Sequence, residues 1–399
     1  MMRRLPLAYI VYFGAVGAAF PYLPVFYHDL GLSFNAIGLI AALQAGTQLI
    51  TAPLWGGLAD RFPRSRLTLP AAALFAAVGA VVLLVATDVI GPVAGSTIGG
   101  VVLFAGLAGI GPVLDARTIE LLGADRGRYG QVRSWGSAAF VVVATLVGII
   151  LDRAGPKSIF AIYLPGLLLT ALVTAYLPRQ GTSRSASILR GARTALAAPG
   201  MSLFLVGVFL IWTALSALNA FYSIQIVALG GGATLVGVAW AVGATVEVPI
   251  MYGFARLGAR FGTQRLLILG ATTFSIRALL ASLALDPGAL VAISVLEGFS
   301  FALFFTGGVT YIAGLAPANL SGTAQGLFAS AAGLATIVGS VSGGLIAGWL
   351  TIPGLFAVTA AVHLAAAGVV AFAVRRGPAT RRGPAGVSGP PAALPDPGV

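Results

Sequence analysis

The sequence predicts an all-α integral membrane protein of twelve transmembrane helices arranged as two pseudo-symmetric bundles of six. Three observations predict it. Of 399 residues, 58% are hydrophobic and 9% charged, and the mean hydropathy is +0.98, a balance outside the range of water-soluble domains. Apolar runs of about 20 residues, the length of helix that crosses a bilayer core, recur along the whole chain. The short alternating segments of a membrane barrel do not occur, which leaves helices as the spanning element. Finally, the arginines cluster at alternate ends of these runs, the signature of a chain woven through a membrane.

Spans are expected near 6–28, 36–58, 67–87, 97–121, 133–151, 157–177, 200–223, 233–255, 265–285, 289–314, 323–347 and 352–374. Nineteen of the 23 basic residues fall on one side of this weave, while Arg153 and Lys157 lie in loops on the other and Arg117 and Arg277 lie inside spans. The positive-inside rule then makes both termini cytoplasmic. A formal charge of +12 would suggest nucleic acid as partner of a soluble protein; here it reports topology, and the expected partner is the lipid bilayer, with no nucleic acid. Arg3-Arg4 before an apolar run has the form of a signal peptide, yet with eleven spans behind it an uncleaved first helix is expected.

Span 1 carries Tyr9, Tyr12, Tyr22 and Tyr27 with Pro21 and Pro24. Span 2 carries Gln44 and Gln48 one helical turn apart, where they share a face; they bond between packed helices or line a cavity. After span 2 comes Gly57-Leu58-Ala59-Asp60-Arg61-Phe62-Pro63-Arg64-Ser65-Arg66. The pattern Arg61-Phe62 before Arg66-Leu67 recurs as Arg260-Phe261 before Arg265-Leu266, so the chain is an internal duplication six spans long. Such repeats, with a substrate site near the midplane where they meet, mark secondary transporters. Ala259 stands where the first copy has Asp60, so a gating contact through that aspartate belongs to the first half.

The expected organisation is a six-helix bundle over 1–178, a basic cytoplasmic linker over 179–199 with a short surface helix, a second bundle over 200–375, and a disordered cytoplasmic tail rich in Pro, Gly and Ala over 376–399. The 54 glycines, about twice the average share, let helices approach closely.

Ionised groups inside a bilayer are costly and mark pathways or partners. Asp115 with Arg117 and Glu120 in span 4, Arg133 opening span 5, Glu247 in span 8, Arg277 in span 9 and Glu297 in span 10 are those groups. Asp115 and Arg117, two apart, point to different faces, and the short turn between spans 4 and 5 makes Arg133 the expected partner of Asp115. Glu297 and Ser300 share a face, and a carboxylate whose burial is balanced by a nearby arginine meets the condition for a proton switch. The bland alternative for each is a static ion pair that fixes register, and Arg117, Glu120 and the lone His363 fit structural roles. With no cysteine and two histidines the chain lacks disulfides, thiol chemistry and the ligands of a metal site, and no Walker-type phosphate loop occurs. Neither an enzyme, a cofactor nor ATP is expected.

Two stretches carry a resemblance. The loop at Gly57, Asp60, Arg61 and Arg64 resembles the signature of the major facilitator superfamily, with Pro63 where a glycine is usual. Pro112-Val113-Leu114-Asp115-Ala116 followed by Tyr129-Gly130-Gln131-Val132-Arg133-Ser134-Trp135-Gly136-Ser137 is similar to its phenylpropionic-acid-transporter and lactose-permease-like branch, a likeness that covers residues 5–375. The resemblance implies that Asp115 and Arg133 correspond to a pair that binds galactoside in relatives, that Arg277 corresponds to an arginine used in proton coupling, and that Glu247 matches a glutamate of the phenylpropionate branch. Glu297 falls where relatives have histidine, and Ser300 where a proton-accepting glutamate is found, so the resemblance implies that the coupling carboxylate has moved to Glu297, which is expected to face Arg277 from the same side of the helix as Ser300.

The reading is therefore a secondary active transporter of the bacterial cytoplasmic membrane, a monomer that moves a small organic solute (an aromatic acid, sugar or nucleoside-like compound) by proton symport. The expected substrate residues are Asp115, Arg133, Trp135, Tyr22, Gln44 and Glu247. Glu297, with Arg277 and Glu247, is expected to handle the proton. A proton-coupled drug or metabolite exporter of the same fold is the alternative.

Overall fold

The computed structural model describes residues 4–62, 65–123, 128–178, 189–316 and 320–376. Arg64, the linker as far as 188 and the tail from 377 lie outside the described residues. Helices are α1 Arg4–Ala19, α2 Leu23–Asp29, α3 Phe34–Arg61, α4 Thr68–Val89, α5 Pro92–Leu122, α6 Tyr129–Ala154, α7 Ile159–Ala175, α8 Leu189–Leu196, α9 Met201–Ala228, α10 Ala233–Phe261, α11 Thr263–Ser282, α12 Pro287–Leu315 and α13 Ser321–Arg376. No strand occurs among the described residues. Eleven helical stretches among them are long and apolar enough to cross a membrane, with α1 and α2 forming one of them.

Local sequence explains where the helices begin and break. Pro21 and Pro24, which cannot donate a backbone hydrogen bond and crowd the preceding turn, divide the first span into α1 and α2. Ser33 caps α3 by accepting from the Ala36 N–H at 3.3 Å, and Asp286 caps α12 by accepting from the Ala289 N–H at 2.9 Å; both are preferred cap residues. Pro92 and Pro287 open α5 and α12, the position where the missing N–H costs least. The 56 residues of α13 break at Thr351, which has φ 74 and ψ 168. This break falls between the expected spans 323–347 and 352–374. The helix α8 occupies the described part of the expected linker.

Within the first seven helices, α4 packs on α5 and α7, α3 on α5, and α1 on α6 and α7. Later in the chain, α9 packs on α13, α10 on α12, and α11 on α12 and α13. The pairings of α3 with α13 and of α6 with α10 join these groups. Glycine makes the closest approaches possible. A Cβ on Gly38 would meet the Ser340 carbonyl oxygen at 2.5 Å and the Gly344 backbone, so α3 and α13 touch main chain to main chain. Aromatic pairs close the same end, with Phe20 edge-on to Trp240 at 5.2 Å and Phe34 edge-on to Phe221 at 5.7 Å.

Candidate functional site

Asp115 lies on α5 and Arg133 in the first turns of α6, yet they form no ion pair. The Tyr9 hydroxyl donates to Asp115 Oδ1 at 2.6 Å, and the Arg133 guanidinium stands over the Phe13 ring at 4.7 Å from its centroid, a cation–π geometry. The expected direct pairing is thus replaced by contacts to α1. The physical reason is packing: α6 lies along α1 and hardly touches α5, so Tyr9 and Phe13 of α1 stand at the two charges, with Tyr129 of α6 also beside the Asp115 carboxylate. Gly136, one turn beyond Arg133, leaves room for the Phe13 ring, and Tyr12 lies edge-on to that ring at 5.0 Å.

Arg277 and Glu297 meet. The guanidinium on α11 pairs with the carboxylate on α12, their side chains 3% and 13% exposed. Both Nη atoms also donate to Asn219 Oδ1 at 3.2 Å, and the guanidinium lies over the Tyr222 ring at 4.8 Å. Tyr222 is itself fixed by donating to the Leu290 carbonyl at 2.5 Å. Ser300 takes no part, because its hydroxyl donates to the Leu296 carbonyl of its own helix at 2.6 Å.

Glu247 is brought beside this network by a glycine crossing. A Cβ on Gly298 would sit 3.1 Å from the Glu247 backbone nitrogen, and one on Gly243 would sit 3.6 Å from Glu297 Cγ. Glu247 forms no ion pair or hydrogen bond with the described residues, and its charge interacts with those of Glu297 and Arg133. Charges from α6, α10, α11 and α12 therefore share one region. In the first half, the side chain of Gln44 lies against Gly100, so α3 and α5 cross as α10 and α12 do. A cleft of about 210 Å³ between α3 and α13 is lined by Ala45, Gln48, Leu49, Gly333 and Thr336.

Other expected site residues are placed elsewhere. The Gln44 amide donates to the Tyr27 hydroxyl at 2.7 Å and is buried, which is a packing contact. The buried Tyr22 hydroxyl donates to the Ala144 carbonyl and fills the space left by Gly148 and Gly237 between α6 and α10. Trp135 is 56% exposed and, two residues from Arg133, points to a different face. Arg117 is buried and donates from Nε to the Pro178 carbonyl at 2.9 Å, a structural role past the end of α7. His363 is buried and stacks on Phe274 at 5.4 Å. Gly57, Asp60 and Arg61 form the exposed last turn of α3. The duplicated Arg-Phe pairs adopt similar stacks, Arg61 over Phe62 at 5.9 Å and Arg260 over Phe261 at 5.2 Å.

Sequence reasoning missed Asn219 and Tyr222. The signal was there, since an amide inside the apolar run of α9 needs a partner, but nothing local says that the partner is an arginine two helices later.

Known proteins resemble this chain in sequence and fold. The sequence model of the MFS_1 like family matches residues 2–358. The chain is 32% identical to the maltose permease of Geobacillus stearothermophilus over 333 residues, 82% of each chain. It is 27% identical to a probable 3-phenylpropionic acid transporter of Escherichia coli K12 over 327 residues, 78% of this chain and 82% of the relative. Among solved structures, the nucleoside transporter NupG superposes with a TM-score of 0.78 at 17% identity, over 93% of this chain and 98% of that one. These relatives are permeases and transporters rather than enzymes. A helical membrane chain with ionisable groups gathered from four of its helices, matched over most of its length by that sequence model, belongs to the MFS_1-like family of the major facilitator superfamily.

Proposed function

We propose that this membrane transporter carries a small organic solute together with protons by alternating access. The observation that carries the reading is the charge layer of Arg133, Glu247, Arg277 and Glu297. Static register pairs join each carboxylate to a cation, and this layer of two arginines and two carboxylates is not paired off in that way: Arg277 serves Glu297, Arg133 stands over Phe13, and Glu247 has no bonded partner among the described residues. A proton delivered to Glu247 removes the one carboxylate charge of this layer that no arginine bonds. In this reading Glu247, rather than Glu297, is the proton carrier, and the Arg277–Glu297 pair is the fixed neighbour that senses it.

Twelve crossings follow if α13 is read as two. At about 1.5 Å per residue its length is several times a bilayer core of ~30 Å, and Thr351 supplies the break. Residues 1–178 and 200–375 then form the two halves around a midplane site, as a monomer in the bacterial cytoplasmic membrane with both termini cytoplasmic. The end closed by Phe20–Trp240 and Phe34–Phe221 faces outside in this orientation. Relatives named for maltose, 3-phenylpropionate and nucleosides frame the solute class as a sugar, aromatic acid or nucleoside-like compound.

The test is uptake into liposomes holding the purified chain. Radiolabelled maltose or 3-phenylpropionate should accumulate when the outside is made acidic, and a protonophore should abolish the accumulation. Solute that merely equilibrates would leave a facilitator, and accumulation on reversing the pH gradient would indicate export.

A further inference from the structure

Beside the charge network stands a wall of aromatic rings that the network does not use. Phe301 and Phe305 on α12 lie one and two turns beyond Glu297, on its side of the helix. Their rings are stacked, 5.4 Å apart with 5° between planes. Trp212 of α9 approaches them at 6.3 Å and 6.4 Å. Phe304 and Phe328 back the indole at 5.7 Å each. The wall thus has two layers. Phe304 and Phe328 are buried at 0% and 3%, whereas Phe305 is 37% exposed and Trp212 and Phe301 are half-buried.

Three observations place the front layer on the face that looks toward the first half of the chain. Trp212, Ser216 and Asn219 fall at helical spacing on one stripe of α9. Ser216 donates to the Thr336 hydroxyl at 3.2 Å, and Thr336 lines the cleft shared with Gln48 of α3. At the other end of the stripe Asn219 holds Arg277, whose carboxylate partner Glu297 begins the line that leads to Phe301 and Phe305. In addition, the Trp212 indole N–H makes no hydrogen bond to the described residues, unlike that of Trp240, which donates to Ser223 at 3.0 Å. A packed tryptophan usually satisfies its N–H, so the half-buried Trp212 offers both a ring and an unbonded donor.

We infer that Trp212, Phe301 and Phe305 form a stacking platform for the apolar face of a six-membered ring in the transported solute, with the ring's polar substituents reaching Asn219 and the Trp212 N–H. This deepens the transport reading and rests on it. The shared chemistry is a flat ring with one apolar face, supplied by a pyranose or by an aryl group. An anionic substituent finds little on this wall, because Arg277 is already neutralised by Glu297 and bonded twice to Asn219; it must reach Arg133 on α6 instead.

The experiment measures binding to the purified full-length chain in detergent by calorimetry, with maltose, 3-phenylpropionate and the ring-less polyol mannitol as probes. The parent should bind at least one ring solute, and the arm that binds identifies the ring. Trp212→Ala should weaken it about tenfold and Trp212→Phe less than about threefold, since a phenyl ring keeps most of the stacking. Phe305→Ala, at an exposed position where folding is not at stake, should weaken it about threefold. The platform is overturned if Trp212→Ala and Phe305→Ala bind the ring solute like the parent, or if mannitol binds as tightly as either ring solute. A parent that binds neither ring solute also overturns it. Proton-driven uptake of another solute by that same parent in liposomes would leave the carrier reading standing.

Discussion

Asp152, in the last turn of α6, caps α10 through Thr234. Its carboxylate accepts from the Ala233 N–H at 2.5 Å, the Thr234 N–H at 3.1 Å and the Thr234 hydroxyl at 2.5 Å. Gly232 makes the approach possible, because a Cβ there would meet the carboxylate at 2.6 Å. A carboxylate at a helix N-terminus satisfies orphan N–H groups and faces the positive end of the helix dipole. Here donors and acceptor lie 81 and 82 residues apart in the chain, so the cap is also a latch between α6 and α10.

Asp152→Ala should loosen that latch. Losing an N-cap costs about 1 kcal/mol, roughly a fivefold shift in a two-state equilibrium. The chain has no cysteine, so a single cysteine at Gln48, in the α3–α13 cleft, reports access without further engineering. Its labelling by an impermeant maleimide from outside should rise several-fold in Asp152→Ala. An unchanged rate would mean that the cap carries no weight in closing that end.

In the proposed topology, which rests on the arginine and lysine bias, the 179–199 linker is cytoplasmic. A cysteine at Ser187, outside the described residues, should label only after cells are permeabilised. Labelling in intact cells would invert the topology and with it the sidedness assigned to Asp152.

Arg277 and Glu297 are buried together, so removing one partner strands the other. Arg277→Gln should destabilise the detergent-solubilised protein by about 3–5 kcal/mol, seen as a lowered Tm. Arg277→Gln combined with Glu297→Gln should recover most of the loss, because two neutral amides avoid the stranded charge. Equal Tm values for the single and double variants would show that the pair is not energetically coupled.

Arg133 stands over Phe13 rather than in an ion pair, so its charge is available to a solute. Arg133→Ala should lower binding of the ring solute at least tenfold while leaving the folded protein extractable, because the cation–π contact it gives up is worth only ~0.5–2 kcal/mol. Parental binding by this variant would place the solute away from α6.

The helical spans and the charged residues within them were legible because they are local: apolar length, alternating arginines and a carboxylate within an apolar run are visible in the chain itself. The break at Thr351 was legible as a change of span, with Gly348, Pro353 and Gly354 around it. The partners were harder. Glu297 facing Arg277 was expected from an acid and an arginine on neighbouring spans and from the family resemblance at Ser300, but Asn219 and Tyr222 complete the network from α9, which sequence separation hides. The same reasoning paired Asp115 with Arg133, and there it missed because α1 lies along α6 and Tyr9 reaches the carboxylate first. Tyr22 and Gln44 are polar residues in apolar spans just as the site residues are, and their satisfaction by Ala144 and Tyr27 depends on glycine gaps at Gly148, Gly237 and Gly100 that become meaningful only once the helices are packed.

The most direct test of the account compares Glu247→Gln with Glu297→Gln in liposomes, each fixed in the uncharged form. A carrier that cannot release its proton still exchanges solute for solute, since exchange requires no net deprotonation. Using whichever of maltose or 3-phenylpropionate the parent accumulates, Glu247→Gln should lose accumulation driven by an acidic exterior and keep exchange at a rate near that of the parent. Accumulation retained in Glu247→Gln and lost in Glu297→Gln would move the proton to α12, and retention in both variants would contradict proton coupling through this charge layer.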